Sequence, residues 1–96
     1  MEFEFTISEL HPSLAGHFPG NPIVPGVIIL DEILRGIIKF HKDLKVTGFS
    51  AVKFIGPIKP EQKVCVVITK NNNLINFECY YESKKIANGS VKLVGL

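Results

Sequence analysis

Gly26-Val27-Ile28-Ile29-Leu30-Asp31-Glu32-Ile33-Leu34-Arg35-Gly36-Ile37-Ile38-Lys39-Phe40-His41 is the stretch on which the fold turns. Val27, Ile28, Leu30, Ile33, Leu34, Ile37, Ile38 and Phe40 spread around a helical projection and leave only a thin polar stripe. A helix apolar on nearly all sides is buried, so a central helix wrapped by a curved sheet is expected. Asp31, Arg35 and Lys39 occupy the stripe at i, i+4 spacing, close enough for ion pairs.

On the N-terminal side, residues 9–25 hold His11-Pro12, Gly16, Pro19-Gly20, Pro22 and Pro25. Proline fixes φ and removes a backbone donor, so this reads as a long, stiff loop that delivers the chain to the helix start. Residues 2–8 alternate with Phe3, Phe5 and Ile7 on one face, the pattern of a half-buried strand. From Val46 onward strands are expected at 46–58, 63–70, 74–83 and 86–95. Turns at Asn71-Asn72-Asn73 and Ser83-Lys84-Lys85 join them. Ile75, Phe77, Cys79 and Tyr81 share the face expected to meet the helix. The class is α+β, and residues 1–96 suit one domain.

Bulk properties narrow the function. Ninety-six residues make a modest core, yet 46% of them are hydrophobic. The excess predicts a further buried surface, most simply a homodimer interface, with higher assembly open. The acidic, alternating N-terminus is unlike a signal peptide, and no apolar run reaches the ~18 residues of a membrane span. A cytoplasmic protein without a membrane partner is expected. Residues 1–32 carry five acids and no Lys or Arg, whereas all eleven basic residues follow. That asymmetry fits either a basic face for an acidic partner or a solvated lysine-rich surface. Ten of the eleven bases are lysines and no basic-aromatic motif occurs, which argues against nucleic acid. Cys65 and Cys79 show no metal-ligand spacing. They stand opposite one another if the hairpin centres near Asn72; two reduced core thiols are the expectation, a disulfide the alternative.

Two motifs carry a resemblance. Gly16-His17-Phe18-Pro19-Gly20-x-Pro22-x-x-Pro25-Gly26-Val27 and Lys53-Phe54-x-x-Pro57-Ile58-x-Pro60 closely resemble signatures of the hot-dog-fold (3R)-3-hydroxyacyl-acyl-carrier-protein dehydratases. The expected order of elements agrees over nearly the whole chain. The resemblance implies a hot-dog fold, an antiparallel sheet wrapped around one long helix. It implies His17 as catalytic histidine, Asp31 as catalytic acid and the Gly26 N–H as donor to the thioester carbonyl, with Val27 beside it. Phe18 and Pro25 would line the substrate. In that family the histidine and acid of one site come from different protomers. The substrate would be carried by acyl carrier protein on a phosphopantetheine arm; no metal or redox cofactor is implied. Longer relatives carry an additional N-terminal helix before the first strand.

The chemistry agrees with this assignment. Dehydration removes a proton from C2 and hydroxide from C3. Unpaired N–H groups at a helix N-terminus suit the developing enolate oxygen, and Gly26 has no Cβ to obstruct it. Neutral imidazole accepts a proton near neutrality, and a carboxylic acid in an apolar wall retains its proton to donate. Each residue also has a plainer reading. Asp31 suits an ion pair with Arg35 or a dipole contact at the helix start. Glu32 takes the acid's role if the helix register differs, and the prolines serve as loop formers. Aspartate, where many housekeeping dehydratases use glutamate, also marks the branch that isomerises the new double bond. Lys53 and Lys59 are candidate contacts for an acidic carrier. The competing functions are a hot-dog acyl thioesterase, a coenzyme A-linked hydratase, and a non-catalytic acyl-carrier-binding subunit.

Overall fold

A computed structural model describes residues 1–14 and 23–95; at positions 13, 44, 94 and 95 it describes the backbone alone. His17 and Phe18 therefore lie outside the described residues. Strand β1 (Glu2–Phe5) is followed by a short 3₁₀ turn (Pro12–Leu14) and helix α1 (Gly26–Phe40). Strands β2 (Leu44–Phe54), β3 (Val64–Asn71), β4 (Leu74–Tyr81) and β5 (Lys84–Gly95) complete the chain. All pairings are antiparallel, and the sheet order is β1-β3-β4-β5-β2. This is the expected α+β arrangement of one helix against one sheet.

The sheet's inner face follows the period-two pattern of half-buried strands. Val64, Val66 and Ile68 of β3, Ile75, Phe77 and Cys79 of β4, and Val91 and Leu93 of β5 are buried together with Ile29, Ile33 and Ile37 of α1. The face of β4 expected to meet the core does so. Phe77 sits opposite Gly89 in the ladder, and a side chain at Gly89 would collide with the Phe77 ring and the Ala51 carbonyl. The glycine leaves the ring room to lie between strands, edge-on to Phe49 at 6.1 Å. At the other end of the helix Gly36 does the same for Phe3, whose ring occupies the place of a side chain.

The boundaries differ from expectation for local reasons. β1 stops at Phe5, opposite Val64 where β3 begins; Ile7 stays buried, but its carbonyl accepts the Glu61 N–H at 2.8 Å. β2 ends at Phe54, not 58, because Gly56 and Pro57 leave the ladder; proline has no N–H to donate to a neighbouring strand. The last hairpin turns on Glu82 and Ser83, one position earlier than expected, with Glu82 at φ 58°.

Two expectations are corrected. The helix is not buried on all sides. Ile29, Ile33 and Ile37 form one covered face, while Val27 is 70% exposed and Ile38 52%. A sheet curves around one side of a helix only, so one chain cannot cover the remaining apolar positions. The cysteines do not face each other. Cys65 pairs with Tyr80 and Cys79 with Val66, a one-residue offset that puts the two thiols on opposite faces. Both are free.

Candidate active site at the helix N-terminus

Pro25 is the N-cap, in extended conformation (φ −60°, ψ 143°), and offers no side-chain hydrogen bond to the helix. Its carbonyl receives the Ile28 and Ile29 N–H groups at 3.0 and 3.4 Å. Gly26 and Val27 precede those donors, so their N–H groups have no acceptor within the helix. The usual Ser, Thr, Asp or Asn cap that would satisfy them is replaced by proline. Among the described residues no side-chain cap and no backbone acceptor takes these two donors, which lie at the positive end of the helix dipole, where an oxygen of a ligand is favoured.

These donors border an apolar groove of about 340 Å³ lined by Ile23, Val24, Gly26, Ile29 and the segment from Phe54 to Ile58. Val24, Ile29 and Ile58 are buried and form its floor; Phe54 and Ile55 are about half exposed at its mouth. Both sequence motifs supply walls. The Val24 N–H donates to the Ile58 carbonyl at 2.8 Å, tying one motif to the other. The second wall has a further anchor. Ile86 is the extra residue at the register shift between the Cys79–Ala87 and Tyr80–Lys85 pairs. Its carbonyl accepts the N–H groups of both Ile55 (2.8 Å) and Gly56 (3.2 Å). A β-bulge thereby fixes where the chain turns away from β2 to flank the helix.

Of the residues expected at the site, Gly26 lines this groove; Pro25 precedes it in the chain without lining the groove, and Val27 follows it, largely exposed. Asp31 lies one turn further along the exposed side of the helix. Its Oδ2 stands 3.1 Å from Arg35 Nε, the ion pair anticipated from the spacing, and its side chain is 53% exposed. It lines no part of the groove. Glu32 faces elsewhere, with Phe3, Phe5, Arg35, Lys39 and Phe40 around a separate depression of about 250 Å³. Val24, Phe54 and Ile55 were not singled out as site residues from the sequence. The available signal was the second motif itself, whose Phe54 and Ile58 bracket the groove. Among the described residues no cluster of His, Cys, Asp and Glu could hold a metal ion.

Comparison with known proteins identifies the lineage. The family described as ApeI-like, ApeI dehydratase, matches residues 1–90. The chain belongs to the ApeI-like dehydratase family. Among curated proteins, this ApeI-like chain is similar to the 3-hydroxyacyl-[acyl-carrier-protein] dehydratase FabZ of Chlamydia trachomatis, 45% identical over 65 residues, covering 57% of this chain and 41% of the relative. FabZ of Ehrlichia chaffeensis is 31% identical over 78 residues, covering 72% and 54%. The chain spans about half the length of the curated relatives it matches. The dehydratase heterocomplex ApeI:P from Xenorhabdus doucetiae superposes with a TM-score of 0.83 at 21% identity, over 96% of this chain and 84% of that one. A gentisyl-coenzyme A thioesterase superposes with a TM-score of 0.71 at 12% identity, over 98% and 88%. The ApeI-like chain therefore has the hot-dog fold, which these proteins share.

Proposed function

We infer that this ApeI-like protein dehydrates a (3R)-3-hydroxyacyl group on acyl carrier protein to the trans-2-enoyl product, in fatty-acid or polyene-type biosynthesis. The observation that carries the reading is the uncapped helix N-terminus opening onto an apolar groove built from both motif segments. FabZ relatives, named as dehydratases of carrier-bound 3-hydroxyacyl groups, support the substrate class.

In this mechanism the thioester oxygen accepts the N–H groups of Gly26 and Val27. Neutral His17 takes the C2 proton, and the electron pair moves toward the carbonyl, whose negative charge the two donors stabilise. Donors of this kind are worth about 3–4 kcal/mol each in transition-state stabilisation. The C3–O bond breaks as protonated Asp31 supplies a proton, releasing water. Proton transfer of this type contributes roughly 10²–10⁴-fold. Phe18 and Pro25 flank the acyl group. In the isolated protomer Asp31 is paired with Arg35 on an exposed helix face, away from the groove, so the role of acid requires a change in its surroundings. A homodimer that brings Asp31 of one protomer to His17 of its partner supplies that change and accounts for Val27 and Ile38 on the exposed side. Lys53 and Lys59, both exposed, suit docking of an acidic carrier.

Purified protein incubated with 3-hydroxyacyl-carrier substrates of several chain lengths, with His17→Ala alongside, tests the reading. Enoyl product that His17→Ala abolishes is the expected result. Free acid without enoyl product indicates a thioesterase, a reaction that hot-dog neighbours such as the gentisyl-coenzyme A enzyme are named for. Carrier binding by a folded dimer without turnover indicates a binding subunit.

A further inference from the structure

Phe54 stands at the mouth of the groove and outside the two aromatic pairs of the described residues. Phe3 pairs with Phe40 and Phe49 with Phe77, each at 6.1 Å between ring centres. Phe54 ends β2 opposite Ala87, yet its side chain is 46% exposed. Its ring lies against the first residue of the helix: a methyl group on Gly26 would stand 3.0 Å from two of its carbons. The backbone beyond it is tied by the Ile55 and Gly56 bonds to Ile86. The ring is thus a wall on a fixed backbone, at the same turn that presents the Gly26 and Val27 donors. It stands over a floor of Val24, Ile29 and Ile58.

We propose that Phe54 is a specificity-determining residue that sets the width of the groove beside the carbonyl end of the acyl chain, admitting linear chains and excluding those branched at C4. This rests on the dehydratase reading of the same groove. With the carbonyl at the helix N-terminus, the chain must pass the Phe54 ring before it reaches Ile29 and Ile58. C4 is the first carbon beyond the reacting pair C2–C3, so a branch there meets the ring first. Any side chain at position 26 would press on the ring, so glycine there keeps the passage beside Phe54 open.

The test uses two substrates of equal carbon count, the N-acetylcysteamine thioesters of 3-hydroxyhexanoate and 3-hydroxy-4-methylpentanoate. The intact protein, Phe54→Ala and Phe54→Leu are compared, each checked by circular dichroism and thermal melting. The wild type should prefer the linear substrate in kcat/KM by about tenfold or more, the scale at which a packed apolar wall discriminates carbon groups. Phe54→Ala should bring the ratio close to one, with Phe54→Leu between. No preference in the wild type, or a preference unchanged in both folded variants, overturns the proposal. The same pair as amide analogues, measured by calorimetry, separates this inference from the one beneath it. If the wild type turns over neither substrate, the dehydratase reading fails. Phe54 then keeps its role if linear-over-branched binding disappears in Phe54→Ala, and loses it if both analogues bind equally or not at all.

Discussion

Cys79 shows how one position's side-chain direction decides its chemistry. It points into the core beneath the helix, where burial pushes its thiol up to about 12 from an ordinary value of 9.0, with a smaller contribution from nearby Cys65. Cys65, on the other face, is raised as well, first by partial burial and then by its hydrogen bond to Glu2 Oε2 at 3.3 Å. The neutral Cys79 thiol is the form the fold favours. Its stabilising contribution is complete below the ordinary thiol pKa and is lost as pH rises from about 9 toward 12. Urea titrations across that range should show stability falling with pH, less steeply in Cys79→Ala. With a disulfide-forming thiol reagent at pH 8, the native protein should leave Cys79 unmodified and the unfolded chain should expose it. Ile33, fully covered by the sheet, is the corresponding apolar position. Ile33→Ala should cost about 2–5 kcal/mol in urea unfolding.

At the scale of elements, the site depends on two turns of backbone. The proline N-cap offers the helix donors no side-chain acceptor, and the bulge at Ile86 holds the second motif beside them. The hairpin at Glu82 carries a cost without such a role. A non-glycine residue in the left-handed region is unfavourable by roughly 1 kcal/mol. Glu82→Gly should therefore raise the melting temperature and leave turnover unchanged, as measured by calorimetry and the enoyl assay. Gly36 gives the opposite case. Its place is filled by the Phe3 ring, so Gly36→Ala should destabilise by about 1–3 kcal/mol through overpacking.

Across the whole molecule, the helix has one face on the sheet and another open. Val27, Asp31, Arg35 and Ile38 run along the open side, and Phe40 adds apolar area at its end. The proposed dimer covers this side. Sedimentation should give a dimer for the wild type, and Val27→Glu with Ile38→Glu should shift it to monomer while far-ultraviolet dichroism is retained. Turnover should fall with dissociation, because each proposed site draws a residue from both protomers. A wild type that sediments as a monomer at all concentrations, yet is fully active, would place the acid elsewhere. Among the described residues no helix is long and apolar enough to cross a membrane.

Much of this was legible in the chain itself. Period-two alternation in β4 placed Ile75, Phe77 and Cys79 on the core face, and the proline before Gly26 marked the helix start; both are local signals that tertiary packing did not override. The i, i+4 spacing of Asp31 and Arg35 likewise led to the observed pair. His17, at the centre of the first motif, lies outside the described residues, and its role remains a proposal. What needed the tertiary structure were relations between distant segments. Composition made the helix apolar all round, but only the sheet's curvature determined which apolar residues were covered. The thiols' separation followed from a one-residue register between β3 and β4, which neither strand encodes alone. The groove, too, arises where residues 23–26 meet residues 54–58, tied by the Val24–Ile58 backbone hydrogen bond, with the second stretch anchored on the bulge at Ile86. Local periodicity is written in neighbouring side chains. Register and coverage depend on which distant backbones find each other, and that is settled by packing the whole chain.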